Sequence, residues 1–231
     1  MTVRIIDIET TGLDPNADAI IEIASVDLAK ERDHIGVRNP LQTFVDPNRP
    51  IPPASSAIHH IIDEDLTGAP RLSDAIDQFK GADVYVGHNC EFEQGFLREH
   101  LGDVPWLCTF KCALRLWPDF PSHGNQALRY QLGLARPLSH PRDTISPHRA
   151  SSDVIVTAAI LVEAMQLAQW GQLLTWSEEP ALHTKFTFGK HRGNRYDAHL
   201  DYCEWIMTQQ DMDVGVRFSA EYWLKQRQAA E

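Results

Sequence analysis

The chain has 231 residues, 43% of them hydrophobic, and carries 32 acidic side chains against 21 lysines and arginines. That length holds one full α/β domain and an appendage, and the apolar fraction excludes a disordered chain. A net charge of −11 excludes a generic basic nucleic-acid coat, although bound divalent cations can offset acidic clusters locally.

Val3 to Glu9 reads as a buried strand, paired with Ile20–Leu28 across the turn-rich stretch 12–16. Gln42–Val45 is a third strand, Ser73–Phe79 a short helix, and Asp83–Gly87 a fourth strand. Glu91–His100 has helical periodicity, with Phe92, Phe96 and Leu97 on one face. Trp106–Thr109 is a short strand, followed by helical stretches at Lys111–Trp117 and Asn125–Leu132. A proline-rich loop, 137–147, leads into a long helix from Ser151 to Trp170. Its apolar core, Val154–Ala168, is broken by Thr157, Glu163 and Gln166, so no membrane span is expected.

Residues 173–182 read as a linker, with Glu178-Glu179-Pro180 ending the periodicity; the main unit is then 1–172 and a small α+β unit 183–231. The tail holds equal numbers of cations and anions, so the whole negative excess lies before it. Phe186–Gly193 reads as a basic hairpin, with helices at Asp201–Gln209 and Phe218–Gln228. Lys185, Lys190, Arg192 and Arg195 cluster there, either as a DNA contact with Phe186 and Phe188 as stacking surfaces, or as solvated cations around buried aromatics. Cys90, Cys108, Cys112 and Cys203 form no CxxC pair, which fits reduced thiols in a cytoplasmic protein. No basic-then-apolar leader is read at the N-terminus, where Asp7 and Glu9 interrupt the apolar run.

The chemistry-bearing residues fall in three segments. Asp7 and Glu9 are two apart on a strand, so both carboxylates leave one face while Ile6 and Ile8 enter the other. Adjacent carboxylates repel unless a cation lies between them; alone, a D-x-E pair is more often a solvated strand edge. Glu93 sits in the first turn of a helix, where an acid also complements the helix dipole. His148 and Asp153 are five apart, about 140° on an ideal helix, so they do not share a helical face. That places His148 in the loop after Pro147 and Asp153 in the helix. An imidazole facing a fixed carboxylate suits a general base.

In chain order, Asp7-Ile8-Glu9, His88-Asn89-Cys90-Glu91-Phe92-Glu93 and His148-x4-Asp153 resemble the three motifs of the DnaQ-like exonucleases of the DEDDh class, in the RNase H-like superfamily. Segments outside the motifs, including Ala57–Ile61, Trp106–Thr109 and the tail Thr184–Gly193, extend the likeness over nearly the whole chain. The resemblance implies a mixed five-stranded sheet flanked by helices, and a 3′→5′ exonuclease that releases 5′-mononucleotides from single- and double-stranded DNA. By the same resemblance Asp7, Glu9, Glu93 and Asp153 hold two Mg²⁺ or Mn²⁺ ions, and His148 deprotonates the attacking water. Thr10, Gly12, Leu13, His59 and Asn89 contact the 3′-terminal nucleotides. One departure stands out: the family has aspartate where this chain has Glu93. A proofreading subunit, an RNA-trimming enzyme, or a binding module weakened at Glu93 fits the same motifs, which do not distinguish deoxyribose from ribose.

Overall fold

The computed structural model describes residues 1–30 and 34–230. Five strands form one mixed sheet: β1 (Val3–Thr10), β2 (Ile20–Lys30), β3 (Ile35–Phe44), β4 (Val84–Gly87) and β5 (Trp106–Cys108). Their order is β3-β2-β1-β4-β5, with β1–β2 and β2–β3 antiparallel and β1–β4 and β4–β5 parallel. β1 is therefore central, and its period-two alternation serves both faces of the sheet. Val3 and Ile5 join the core under helix α6 (Ala150–Leu167), while Ile6 and Ile8 join the opposite core under α3 (Glu91–Leu101). Asp7 and Glu9 continue the stripe of Val3 and Ile5, so strand parity aims them at α6.

α6 is apolar on nearly every side because it crosses the middle of the sheet. Its composition and length would suffice for a membrane, yet 67% of it is buried within the protein. The core explains that apolarity. α4 (Thr109–Leu116) and α5 (Asn125–Gln131) pack beside it.

Several elements depart from the sequence expectation. β3 begins at Ile35 rather than Gln42, because its first half is a partly exposed edge with Asn39 at φ 51° and Pro40. Edge strands tolerate proline and lack the apolar alternation that marks a buried one. Pro53–His59 forms a short helix, α1, opened by proline at its first position. The short helix expected at Ser73–Phe79 is one α-helical turn, α2 (Leu72–Ala75), continued by a 3-10 turn.

The segment read as a linker is mostly helix α7 (Trp170–Glu178), separated from α6 by extended Ala168. Leu173 is fully buried in the main core, and the Ser177 hydroxyl accepts the Cys108 N–H at 2.8 Å. α7 is thus part of the catalytic unit. The expected hairpin of the tail is, among the described residues, a single antiparallel bridge between Lys185 and Arg195 around a turn with Gly189 and Gly193 at positive φ. The tail is otherwise α8 (Leu200–Thr208) and α9 (Val214–Ala230) around Phe186, Tyr196, Cys203 and Ile206. Phe186 belongs to that small core and is not a free stacking surface. All four cysteines are buried and unbridged.

Leu173→Ala is expected to lower the stability of the catalytic unit by about 2–5 kcal/mol in urea unfolding. A loss within about 0.5 kcal/mol, the range of surface substitutions, would mean that α7 is only loosely attached.

Candidate active site

Asp7 and Glu9 stand at the end of β1, and the ladder with β2 shifts register between Glu9 and Thr10. Such a bulge beside a site re-aims the following residues. Beyond it, Thr10 donates to the Gly12 carbonyl at 2.5 Å, and Thr11 donates to Asp18 at 3.1 Å. A Cβ on Gly12 would lie 2.4–2.5 Å from the Asp18 carboxylate atoms. A side chain there would displace the Asp18 carboxylate from Thr11 and from the Asp14 N–H, so glycine preserves this loop. Leu13 projects from this loop, 82% exposed.

Asp153 enters from the first turn of α6, where the helix N-terminus favours an anion. His148 lies outside the helix at φ 56°, exposed, and its charge bears on Asp153. The expectation that loop and helix divide these two residues therefore holds in the structure. Glu93 enters from the first turn of α3, buried, with Oε2 lacking any hydrogen-bond partner. Gly87 makes room for it: a Cβ there would stand 3.3 Å from that oxygen and 2.8 Å from the Cys90 Cβ.

One cavity of about 660 Å³ gathers Asp7, Glu9, Glu93, His148 and Asp153 with Thr10, Gly12, Leu13 and His59. Among the described residues no lysine or arginine lines it. Ligand oxygens of Asp7, Glu9 and Asp153 all lie within 4.8 Å of one another. Glu93 is outside that triad, although its charge acts on Asp7. Asn89, expected among the contacts, is not in the lining; it is exposed at φ 66° in the turn before α3.

Three supporting residues, Gln126, Glu22 and Arg149, were not legible as such in the sequence. Gln126, on α5, donates to the Asp153 carboxylate at 2.8 Å. Glu22, wholly buried opposite Glu9 on β2, accepts Arg149 Nε and Nη2 at 3.1 and 3.0 Å and the Ala150 N–H at 3.1 Å. This clamp fixes the chain between His148 and Asp153. The available signal was an acid inside the apolar run Ile20–Val26 and an arginine directly after His148. His59, carried by α1, is buried; its Nδ1 accepts the Ile61 N–H at 3.1 Å, which leaves its proton on the unpartnered Nε2.

Burial and mutual repulsion load the site with protons. Burial, then the charges of Asp153 and Glu22, push Glu9 up to about 8. Burial likewise pushes Glu93 to about 8, and burial followed by the Glu93 charge holds Asp7 well above the carboxylate range. Burial also raises Asp153, against the pull of Gln126 and His148. Carboxylates kept close without a basic partner suit a hard divalent cation.

A family model described as Exonuclease matches residues 5–161. The chain belongs to the exonuclease family. It is 36% identical over 229 residues to exodeoxyribonuclease 10 of Escherichia coli K12, covering 96% of this chain and 98% of that one. The alignment thus reaches into the tail. A DNA polymerase III subunit epsilon-like protein of Rhodobacter capsulatus is 30% identical over 185 residues, covering 76% of this chain and 26% of its own length. Among solved structures, exonuclease X in complex with 5′ overhanging duplex DNA superimposes with a TM-score of 0.62 and 34% identity, over 76% of this chain and 99% of that one. E. coli exonuclease I with a dA16 oligonucleotide shares the fold at a TM-score of 0.56 and 16% identity, over 76% of this chain and 42% of that one. Exonucleases of this family generally use divalent metal ions, and the carboxylate triad gives this member a place to hold one.

The raised carboxylates set a pH signature. In the unfolded chain Glu9 and Glu93 ionise near their ordinary value of 4.5, whereas the folded protein holds those protons to about 8. Between these values the folded state binds more protons, so metal-free stability falls as pH rises. A divalent cation is therefore expected to raise the melting temperature more at pH 8 than at pH 5.5. A metal-induced rise that is flat or larger at pH 5.5 would contradict this.

Proposed function

We propose that the protein is a 3′→5′ exodeoxyribonuclease that hydrolyses the terminal phosphodiester of single- and double-stranded DNA and releases 5′-mononucleotides. The observation that carries this reading is the convergence of Asp7, Glu9, Glu93, Asp153 and His148, from three distant segments, on one cavity with no lysine or arginine lining it among the described residues. The extended similarity to exodeoxyribonuclease 10, whose alignment spans both units, supports DNA as the substrate.

Asp7, Glu9 and Asp153 would hold the cations, with Glu93 completing a second position beside Asp7. Mg²⁺ or Mn²⁺ matches their hard oxygen donors. Bound there, two such ions supply Lewis acidity to the phosphoryl oxygens and charge stabilisation to the entering and leaving oxygens.

The chain's own residues do the rest. The exposed Leu13 packs against the terminal base, the Gly12 loop lets the backbone come close to the nucleotide, and His59 Nε2–H offers a buried donor. His148 takes a proton from water as its oxygen attacks phosphorus in line; the P–O3′ bond breaks and the 3′-oxygen leaves with the shortened strand. Gln126 and the Glu22–Arg149 clamp keep Asp153 and His148 in register during that step.

A 3′-labelled oligonucleotide incubated with the protein and Mg²⁺ should yield labelled mononucleotide. His148→Ala is expected to slow that release by about 10²–10⁴ while leaving cation binding intact; a rate within threefold of the parent would remove His148 as the base. Glu93→Asp shortens the side chain to the family's length and is expected to raise the Mg²⁺-supported rate. A clear fall would show that the longer acid is the better ligand in this chain.

A further inference from the structure

The catalytic unit meets the tail along a second groove of about 350 Å³. Phe110, Phe120 and His123 line it from the catalytic side, and His183, Lys185 and Arg192 from the tail. Among the described residues no acidic side chain lines it, in a chain with 32 acids and a net charge of −11. Each of the other described cavities includes at least one carboxylate.

The four cations that cluster in the tail sequence have separate fates. Arg195 binds the Asp119 carboxylate at 2.9 Å and also Asp197, so it is neutralised and ties the tail to the catalytic unit. Lys190 lies over the Tyr202 ring. Lys185 reaches only the backbone carbonyl of Asp119, at 3.5 Å. Arg192 is exposed, and its guanidinium has no ion-pair partner among the described residues. Of the three cations without a carboxylate partner among the described residues, Lys185 and Arg192 line the groove, while Lys190 is turned onto the Tyr202 ring.

This groove shares a wall with the active cavity. Ser122 and His123 line the groove, and the next four residues, Gly124 to Ala127, line the active cavity. The His123 ring donates to the Trp117 carbonyl at 2.8 Å, and its own carbonyl accepts from the His88 ring at 2.9 Å. His88 in turn faces the active cavity. A strand leaving that cavity over residues 122–127, the turn before α5 and its first residues, would pass into the groove.

We propose that the inter-unit groove binds the phosphate backbone of the DNA strand whose 3′ end occupies the active site, several nucleotides upstream of the scissile bond. Lys185 and Arg192 each pair with a phosphate, and the half-buried Phe110 and Phe120 form an apolar wall against which a base rests. The proposal depends on the DNA-exonuclease reading above and adds to it a function for the tail: it extends the grip on substrate beyond the terminal nucleotides.

The test uses the full chain, parent and Lys185→Ala/Arg192→Ala double variant. Fluorescence anisotropy would follow the binding of a trinucleotide and a 12-nucleotide single strand, both with phosphorothioate linkages, at several salt concentrations. The trinucleotide, gripped by the active cavity alone, is the internal reference. The variant should bind the 12-mer about tenfold or more weakly, with a salt slope shallower by about 1.4, reflecting two lost phosphate contacts on a single strand. Unchanged 12-mer affinity and slope would overturn the proposal, as would an equal loss for the trinucleotide, which would locate the effect in the active cavity. Should the parent itself fail to cleave an unmodified trinucleotide, the exonuclease reading fails instead, and the two failures are thereby distinguished.

Discussion

Like-charge repulsion in a partly buried cavity governs this molecule. Asp7, Glu9, Glu93 and Asp153 are held in one cavity that, among the described residues, has no lysine or arginine in its lining. Such an arrangement costs stability once its groups ionise, so the fold must restrain carboxylates that would otherwise spread apart. A bound divalent cation would remove that cost, so the geometry that strains the metal-free protein would also favour a cation between the carboxylates.

The restraint comes from three elements with little freedom. β1 is the central strand, paired on both sides, and its alternation leaves Asp7 and Glu9 no other face. α6 is anchored by residues buried along its length and presents Asp153 in its first turn. α3 presents Glu93 across Gly87, where no larger residue fits without displacing Cys90 or Glu93 itself. Arg149, directly after His148, is held by buried Glu22, so it organises the His148 loop, and its charge eases Glu9 from outside the cavity lining. The tail adds cationic surface where the catalytic unit has the chain's negative excess.

Much of this was legible in the sequence because buried strands and long helices impose strong periodicity. The run Val3–Glu9, with two acids at a spacing of two, located the sheet centre and half of the site. The five-residue spacing of His148 and Asp153 placed them correctly on loop and helix. Less was legible where exposure erased the pattern, as in the first half of β3, or where an element was too short to show a period, as in α1. α7 was read as linker because its single fully buried side chain, Leu173, gives no repeat. The Glu22–Arg149 clamp joins residues 127 positions apart, and no local pattern announces such a pair. The tail's alternating aromatics point to a hairpin, and the structure keeps a short one, closed by the Lys185–Arg195 bridge around a turn with Gly189 and Gly193 at positive φ.

The most direct test of this account is a crystal structure of the full chain with Mn²⁺ and thymidine 5′-monophosphate, with anomalous diffraction at the manganese edge. The account predicts manganese within about 2.5 Å of an Asp7 carboxylate oxygen, bridged to Glu9 or Asp153 and adjacent to the phosphate. Manganese absent from Asp7, with the nucleotide bound elsewhere, would contradict it.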